Sequence, residues 1–413
     1  MGFVRPVAQC GLWGVCVVTV IAFSVVAAAA SPARPAVRHG DVTPDASPYR
    51  DLYDFRGGND GASPQSGLLL DGSGDLIGVT NYGGSASCGT VFELSPSGGS
   101  YSEKIIYSFG IEPDGCAPVG IIADAGGNLY VTTLQGGLYN GGAAIELSPT
   151  SKGDYQETAV HSFGNFPDGK TPWGKLIQEG STFYTTTNAG GQYGFGTIVV
   201  LGPGLTETAV YNIPSSDLSG PNSSLAADSS GALYGTTEYG GGFGGVFRFD
   251  PSSGNLAEIW QFTNQDDGAL NPTGGVWLDA AGTVYGTTEG GTGGTVYRLL
   301  PKGGSYQLNV LHQFLTQSDG LFPLFAGLTP DGPYLYGATL WGGDTSGACS
   351  VGIGCGTVFR LKPSGAGFTV LERFDGTDGS VPVGGLTADG KFLYGTASSG
   401  GAFGDGVVYR LRR

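Results

Sequence analysis

The sequence predicts an all-β fold: a seven-bladed β-propeller, four antiparallel strands per blade, closed by the N-terminal strand. Three observations carry this reading. A strand-like phrase, Leu-Tyr-Gly-Thr-Thr, recurs in variants at Leu76–Thr80, Leu129–Thr133, Phe183–Thr187, Leu233–Thr237, Val284–Thr288, Leu335–Thr339 and Leu393–Ala397. The intervals are 53, 54, 50, 51, 51 and 58 residues, and a fixed period near 50 marks one supersecondary unit copied in tandem. Glycine and proline, 78 and 23 of 413 residues, fall at repeating places beside Val, Ile, Tyr, Phe and Thr, so they read as turns between short strands. Finally, the strand-like segments start and stop out of phase with the repeat, and only a ring makes the count come out even.

Each element follows from its residues. Strand A comes after a proline and reads Gly-Leu-x-x-Asp, as in Gly67–Asp71, Gly120–Asp124 and Gly385–Asp389. Its glycines at 67, 120, 174, 275, 327 and 385 suit an innermost strand, where backbones of neighbouring blades crowd together. Strand B is the recurrent phrase itself. Strand C is Gly-Thr-Val-Phe-x-Leu, as in Gly89–Leu94, Gly294–Leu299 and Gly356–Leu361. Both B and C are apolar on alternating faces, as a sheet sandwiched between sheets requires. Strand D ends in Phe, as in Ile105–Phe109 and Val370–Phe374, and an Asp-Gly turn then leads to the next strand A. The first strand, Tyr49–Phe55, is of type D, and the last, Val407–Arg413, is of type C. Seven full sets result when the first strand completes the last blade, which also hides the edges that an open array exposes. The alternative, an open solenoid, needs polar capping repeats, and none is visible.

These units resemble the GloVer-type tandem-repeat proteins, a bacterial family of exported proteins with variable surface anchors. The resemblance rests on Leu233-Tyr234-Gly235-Thr236-Thr237, Cys355-Gly356-Thr357-Val358-Phe359-Arg360-Leu361 and Asp168-Gly169-Lys170-Thr171-Pro172, and it runs from Tyr49 to Arg413. It implies export and a propeller-like body, and no catalytic residues. The chain shows no anchor after its last strand, so attachment through the C-terminus is not expected.

The N-terminus agrees with export. Arg5 precedes an apolar run, Gly11–Ala30, that ends in Ala27-Ala28-Ala29-Ala30-Ser31, a small-residue cleavage site. Residues 1–30 therefore read as a signal peptide, with an uncleaved anchor as the alternative, and 31–48 as a disordered, proline-rich linker to a propeller over 49–413 of roughly 52-residue repeats. Cys10 and Cys16 lie in the signal. Cys88, Cys116, Cys349 and Cys355 remain, and in an oxidising compartment they are expected to form Cys88–Cys116 and Cys349–Cys355. A net charge of −16 with no basic stripe argues against nucleic acid and against an anionic membrane surface. Secretion to the periplasm, the cell surface or the medium is expected, as a monomer.

Candidate chemistry is sparse. Seven Asp residues recur in the D–A turns (60, 114, 168, 217, 267, 319 and 378); such a ring could bind calcium, but repetition in every unit reads as turn capping, so no metal site and no cofactor is expected. His161 and His312 share a strand-D position with Tyr53, Tyr107, Tyr211 and Trp260, which reads as packing. Glu238 and Glu289 are equivalent copies after the Thr-Thr, as repeat heritage gives. There is no Gly-x-Ser-x-Gly elbow and no His-Glu-x-x-His helix, so no catalytic residue is assigned. What varies between repeats is the glycine-rich B–C loop, decorated by Tyr82, Tyr139, Tyr193, Phe195, Tyr239, Phe243, Trp341 and Phe403. Tyr82, Tyr239 and Trp341, each just before Gly-Gly, are the candidate ligand-binding residues, because an aromatic face stacks on the C–H face of a sugar. The leading expectation is an exported, non-catalytic propeller presenting a face to a glycan or a surface protein. The alternatives are a carbohydrate-active lyase or glycosidase using top-face carboxylates, and a structural component of the cell envelope.

Overall fold

The computed structural model describes residues 48–413 except 111–112, 216–217, 264–267, 326, 346–348 and 350–352. The expected signal peptide and linker up to residue 47, with His39, and also Asp217 and Asp267, lie outside the described residues. Within them the chain forms seven antiparallel blades in a ring, each ordered D-C-B-A from rim to axis. Blade 1 comprises Leu69–Leu70, Leu76–Tyr82, Thr90–Ser97 and Ser100–Ser108; blade 2 comprises Cys116–Ala123, Leu129–Gln135, Ala143–Pro149 and Tyr155–Ser162. In blade 3 strands A and D are Ile177–Glu179 and Glu207–Asn212. Strand A is shorter than its sequence pattern suggests, two or three ladder residues in every blade but the second. Its glycines lie close against the next blade: a Cβ on Gly120 would lie 2.5 Å from the Lys175 backbone, and one on Gly174 would lie 2.7 Å from the Ser223 carbonyl.

The ring closes as the sequence predicts. Tyr49–Asp54 runs antiparallel to Val407–Arg412, pairing Tyr49 with Leu411 and Asp54 with Val407. Tyr49 stacks on Tyr409 at 5.7 Å, and the buried Phe55 meets Phe92 of blade 1 edge-on at 5.1 Å. Phe55 takes the place that Phe109, Phe163, Ile213, Phe262, Phe314 and Phe374 take at the end of the other D strands, all of them buried.

One link recurs at all seven seams between blades. The residue before the strand-A proline sits in the left-handed region, with φ of 55–70° at Ser63, Ala117, Thr171, Gly220, Asn271, Phe322 and Val381. This conformation costs about 1 kcal/mol or more for a residue with a side chain. It turns each backbone N–H to a carbonyl of the preceding blade, from Ala117 to Cys88 and Thr171 to Gly141 around to Ser63 to Asp405, over 2.7–3.1 Å. The proline ring then packs on the glycine that opens strand C of that blade. A Cβ on Gly89 would meet Pro118 Cδ at 2.5 Å, and one on Gly406 would meet Pro64 Cδ at 2.6 Å. The first Thr of strand B adds a side-chain bond across the seam, as in Thr132 to Gly174 O at 3.1 Å and Thr396 to Ser66 O at 3.0 Å. The second Thr is buried against the Thr of strand C, as in Thr80 with Thr90 at 2.7 Å. In these blades both halves of the repeated Thr-Thr have structural partners.

The cysteines pair as expected. Cys88–Cys116 ties the B–C loop of blade 1 to strand A of blade 2, beside the backbone bond just described. Cys349–Cys355 closes a local loop in blade 6.

Candidate functional site

The turn aspartates act mainly as caps. Asp60 accepts the Arg56 N–H at 2.7 Å, Asp114 the Gly110 N–H at 2.9 Å and Asp378 the Asp375 N–H at 2.8 Å. They also have a second, recurrent partner that sequence reasoning missed. The strand-D residue seven positions earlier reaches the same carboxylate: Tyr53 O–H donates to Asp60 at 2.5 Å, Tyr107 O–H to Asp114 at 2.9 Å, and His161 Nε2 lies 3.2 Å from Asp168. A glutamate from strand D of the following blade completes each group. Tyr107 O–H lies 3.1 Å from Glu157, His161 Nε2 lies 3.9 Å from Glu207, and Glu103 stands near Asp60.

Burial raises the pKa of all three glutamates, and in each the turn aspartate adds to the rise. Glu103 is pushed up to about 7, whereas at Glu207 the nearby His161 offsets part of the effect. In the first two groups a phenol sits between the carboxylates; in the third it is an imidazole. The third group also opens on a cleft of about 330 Å³ lined by Leu138, Tyr139, His161, Asn165, Asp168 and Glu207. Asp168 is the innermost of the three side chains at 2% exposure, against 13% for His161 and 35% for Glu207.

The aromatic residues of the B–C loops divide into two sets. Tyr82, Tyr139, Tyr193, Tyr239 and Phe403 are 51–57% exposed. Phe195 and Phe243 fold back onto the cores of blades 3–4 and 4–5. Of the three named candidates, Tyr82 and Tyr239 are in the open set, while Trp341 is half-buried and its backbone bridges Leu321. Tyr239 stands beside Glu238, whose carboxylate accepts from Asn222 Nδ2 at 2.8 Å. Burial pushes Glu289 up to about 7, with Glu238 adding to the shift. The two glutamates thus lie near enough across the seam of blades 4 and 5 for one charge to be felt by the other. On the axis, Trp173 of blade 3 stacks on Phe325 of blade 6 at 5.7 Å and 10°. That stack joins strand-A segments of two blades far apart in the chain.

A ring of seven near-identical sheets with its variation confined to loops and seams defines the class: a tandem-repeat β-propeller. The model of the Gloeobacter/Verrucomicrobia repeat matches residues 41–199, 103–293, 150–351 and 244–413, and the chain belongs to that family. No curated protein matches it in sequence. Among solved structures it is similar to the extracellular domain of a protein described as a one component system from B. thetaiotaomicron, with 14% identity, a TM-score of 0.54, and coverage of 87% of this chain and 41% of that one. It is similar also to a protein described as a 6-phosphogluconolactonase from Bacteroides uniformis (15% identity, TM-score 0.53, 77% of this chain and 87% of that one). A chain of the mitotic checkpoint complex is comparable at 12% identity and a TM-score of 0.54, over 91% of this chain and 98% of that one. At such identities the likeness shows the fold alone. Among the described residues no helix is long and apolar enough to cross a membrane.

Proposed function

We propose that this protein is an exported, non-catalytic propeller whose B–C loop face binds glycan. The observation that carries the reading is the set of five open rings, Tyr82, Tyr139, Tyr193, Tyr239 and Phe403, each from the B–C loop of a different blade. Elsewhere the repeated Tyr of strand B is buried with its O–H on the A–B turn Asp, as in Tyr130 to Asp124 at 3.1 Å and Tyr394 to Asp389 at 3.0 Å. Exposing large rings forfeits burial worth about 1.5–3 kcal/mol each, and a rim of them is suited to stacking on sugar rings while nearby amides and carboxylates take the hydroxyls. Export is supported by the N-terminal apolar run and by two disulfides.

A glycan and peptidoglycan binding screen of residues 49–413 tests this. Retention of at least one polysaccharide is expected, with Tyr82→Ala and Tyr239→Ala each weakening it about tenfold and Trp341→Ala weakening it less. Absence of binding across the screen, with the protein folded, would discard the glycan reading in favour of a structural envelope role. Export is checked separately by sequencing the N-terminus of the secreted protein, expected at Ser31.

A further inference from the structure

We infer that His161, Asp168 and Glu207, brought together at the seam of blades 2 and 3, form a binding site for a late first-row divalent cation of the zinc class. This inference is independent of the glycan reading. It begins from a difference between repeats. In the two preceding groups the strand-D residue is Tyr53 or Tyr107, an O–H that holds the turn carboxylate by hydrogen bonding. In the third the same place holds His161, so a two-carboxylate seam gains a nitrogen ligand at the seam that opens on a cleft.

The geometry suits that cation. Zinc binds imidazole and carboxylate at about 2.0–2.2 Å in a tetrahedron, which sets neighbouring donors about 3.3 Å apart. Here His161 Nε2 stands 3.2 Å from Asp168 Oδ2 and 3.9 Å from Glu207 Oε2, and the three donor atoms lie within 4.8 Å of one another. Only Glu207, the most exposed of the three, has to swing inward. Asp168 is held in place from behind by the Gly169 N–H at 2.7 Å, which leaves its other oxygen for the cation. Three protein ligands leave a fourth position open to the cleft under Tyr139 and Asn165, where a water or a ligand hydroxyl would bind. Calcium and magnesium fit less well, because they prefer more oxygen donors and no imidazole. The cation would also offset the juxtaposed charges of Asp168 and Glu207, where the preceding seam places the Tyr107 phenol against both Asp114 and Glu157.

The test is zinc titration of metal-free protein by calorimetry, with cobalt as a spectroscopic stand-in. One equivalent is expected to bind, with tetrahedral d–d absorption for cobalt. His161→Tyr installs the residue of the neighbouring seams, so it should fold normally and bind zinc at least tenfold more weakly. Glu207→Gln should do likewise, and His312→Tyr should leave the affinity unchanged. The proposal is overturned if the parent binds zinc no tighter than His161→Tyr, if His312→Tyr abolishes binding instead, or if equimolar calcium displaces the zinc.

Discussion

Phe55→Ala asks whether the N-terminal strand is a full member of the ring. Phe55 is completely buried, against Phe92 and Tyr53, and its N–H donates to Gly406 O at 3.0 Å. Its counterpart in blade 2, Phe163, is equally buried and packs edge-on against His161 at 4.6 Å. Truncating a fully buried Phe costs about 3–5 kcal/mol through lost transfer energy and the cavity left behind. Unfolding a body that spans residues 49–413, at about 2.1 cal/mol/K per residue, carries an entropy near 0.8 kcal/mol/K. A loss of 3–5 kcal/mol therefore lowers Tm by about 4–7 °C. Phe55→Ala and Phe163→Ala should shift thermal melts by the same amount within about 2 °C. A shift below about 1 °C for Phe55→Ala beside a full shift for Phe163→Ala would refute the closure argument, since it would mean that Tyr49–Asp54 contributes nothing to the cooperative unit.

Three further outcomes are expected. Cys88→Ser with Cys116→Ser opens a crosslink of sequence separation 28 and should cost about 3–4 kcal/mol on the chain-entropy picture, against about 2 kcal/mol for the Cys349–Cys355 pair at separation 6, read from urea midpoints. Gly294→Ala places a Cβ 2.3 Å from Thr288 O and 2.6 Å from Pro323 Cδ at φ +92° and should cost roughly 2–4 kcal/mol, whereas Gly303→Ala, with nothing within 4 Å, should cost about 1 kcal/mol. Glu289 has its pKa raised to about 7 from 4.5, so the native state holds the proton more tightly than the unfolded chain and stability falls as pH rises from about 4.5 to 7. Glu289→Gln should flatten that fall by about 1–3 kcal/mol in urea melts at pH 5 and pH 8, discounted for its partial exposure.

The ring was legible in the sequence because repeats report themselves. Seven copies in register located strands B, C and D, and the out-of-phase ends exposed the closing strand. Outside blade 2 strand A was read too long, since its Gly-Leu-x-x-Asp pattern does not show how few of its residues join the ladder to strand B. The His161 cluster escaped for a related reason. Its members come from strand D of one blade, a turn, and strand D of the next, with Glu207 46 positions beyond His161. Sequence reasoning grouped His161 correctly with Tyr53 and Tyr107, yet took the shared position as packing, because the Asp seven residues on was assigned to its turn alone. The recurring spacing of Tyr or His to Asp, with a Glu near the start of the next strand D, was the available signal. The pairing of Trp173 with Phe325 had none, since it joins two segments of different blades far apart in the sequence.

The link between the pre-proline N–H and the preceding blade has a consequence for how this chain can be rewired. Its bond from Ser63 to Asp405 repeats the one from Ala117 to Cys88, so the seam of blades 7 and 1 is built like the other six, and the one break in the chain lies inside blade 7, between its strands C and D. The order in which blades are threaded is then nearly irrelevant to what holds them. A circular permutant that joins Arg413 through a short linker to Tyr49 and opens instead within an exposed C–D turn should assemble the same ring, with a different strand D serving as the clasp.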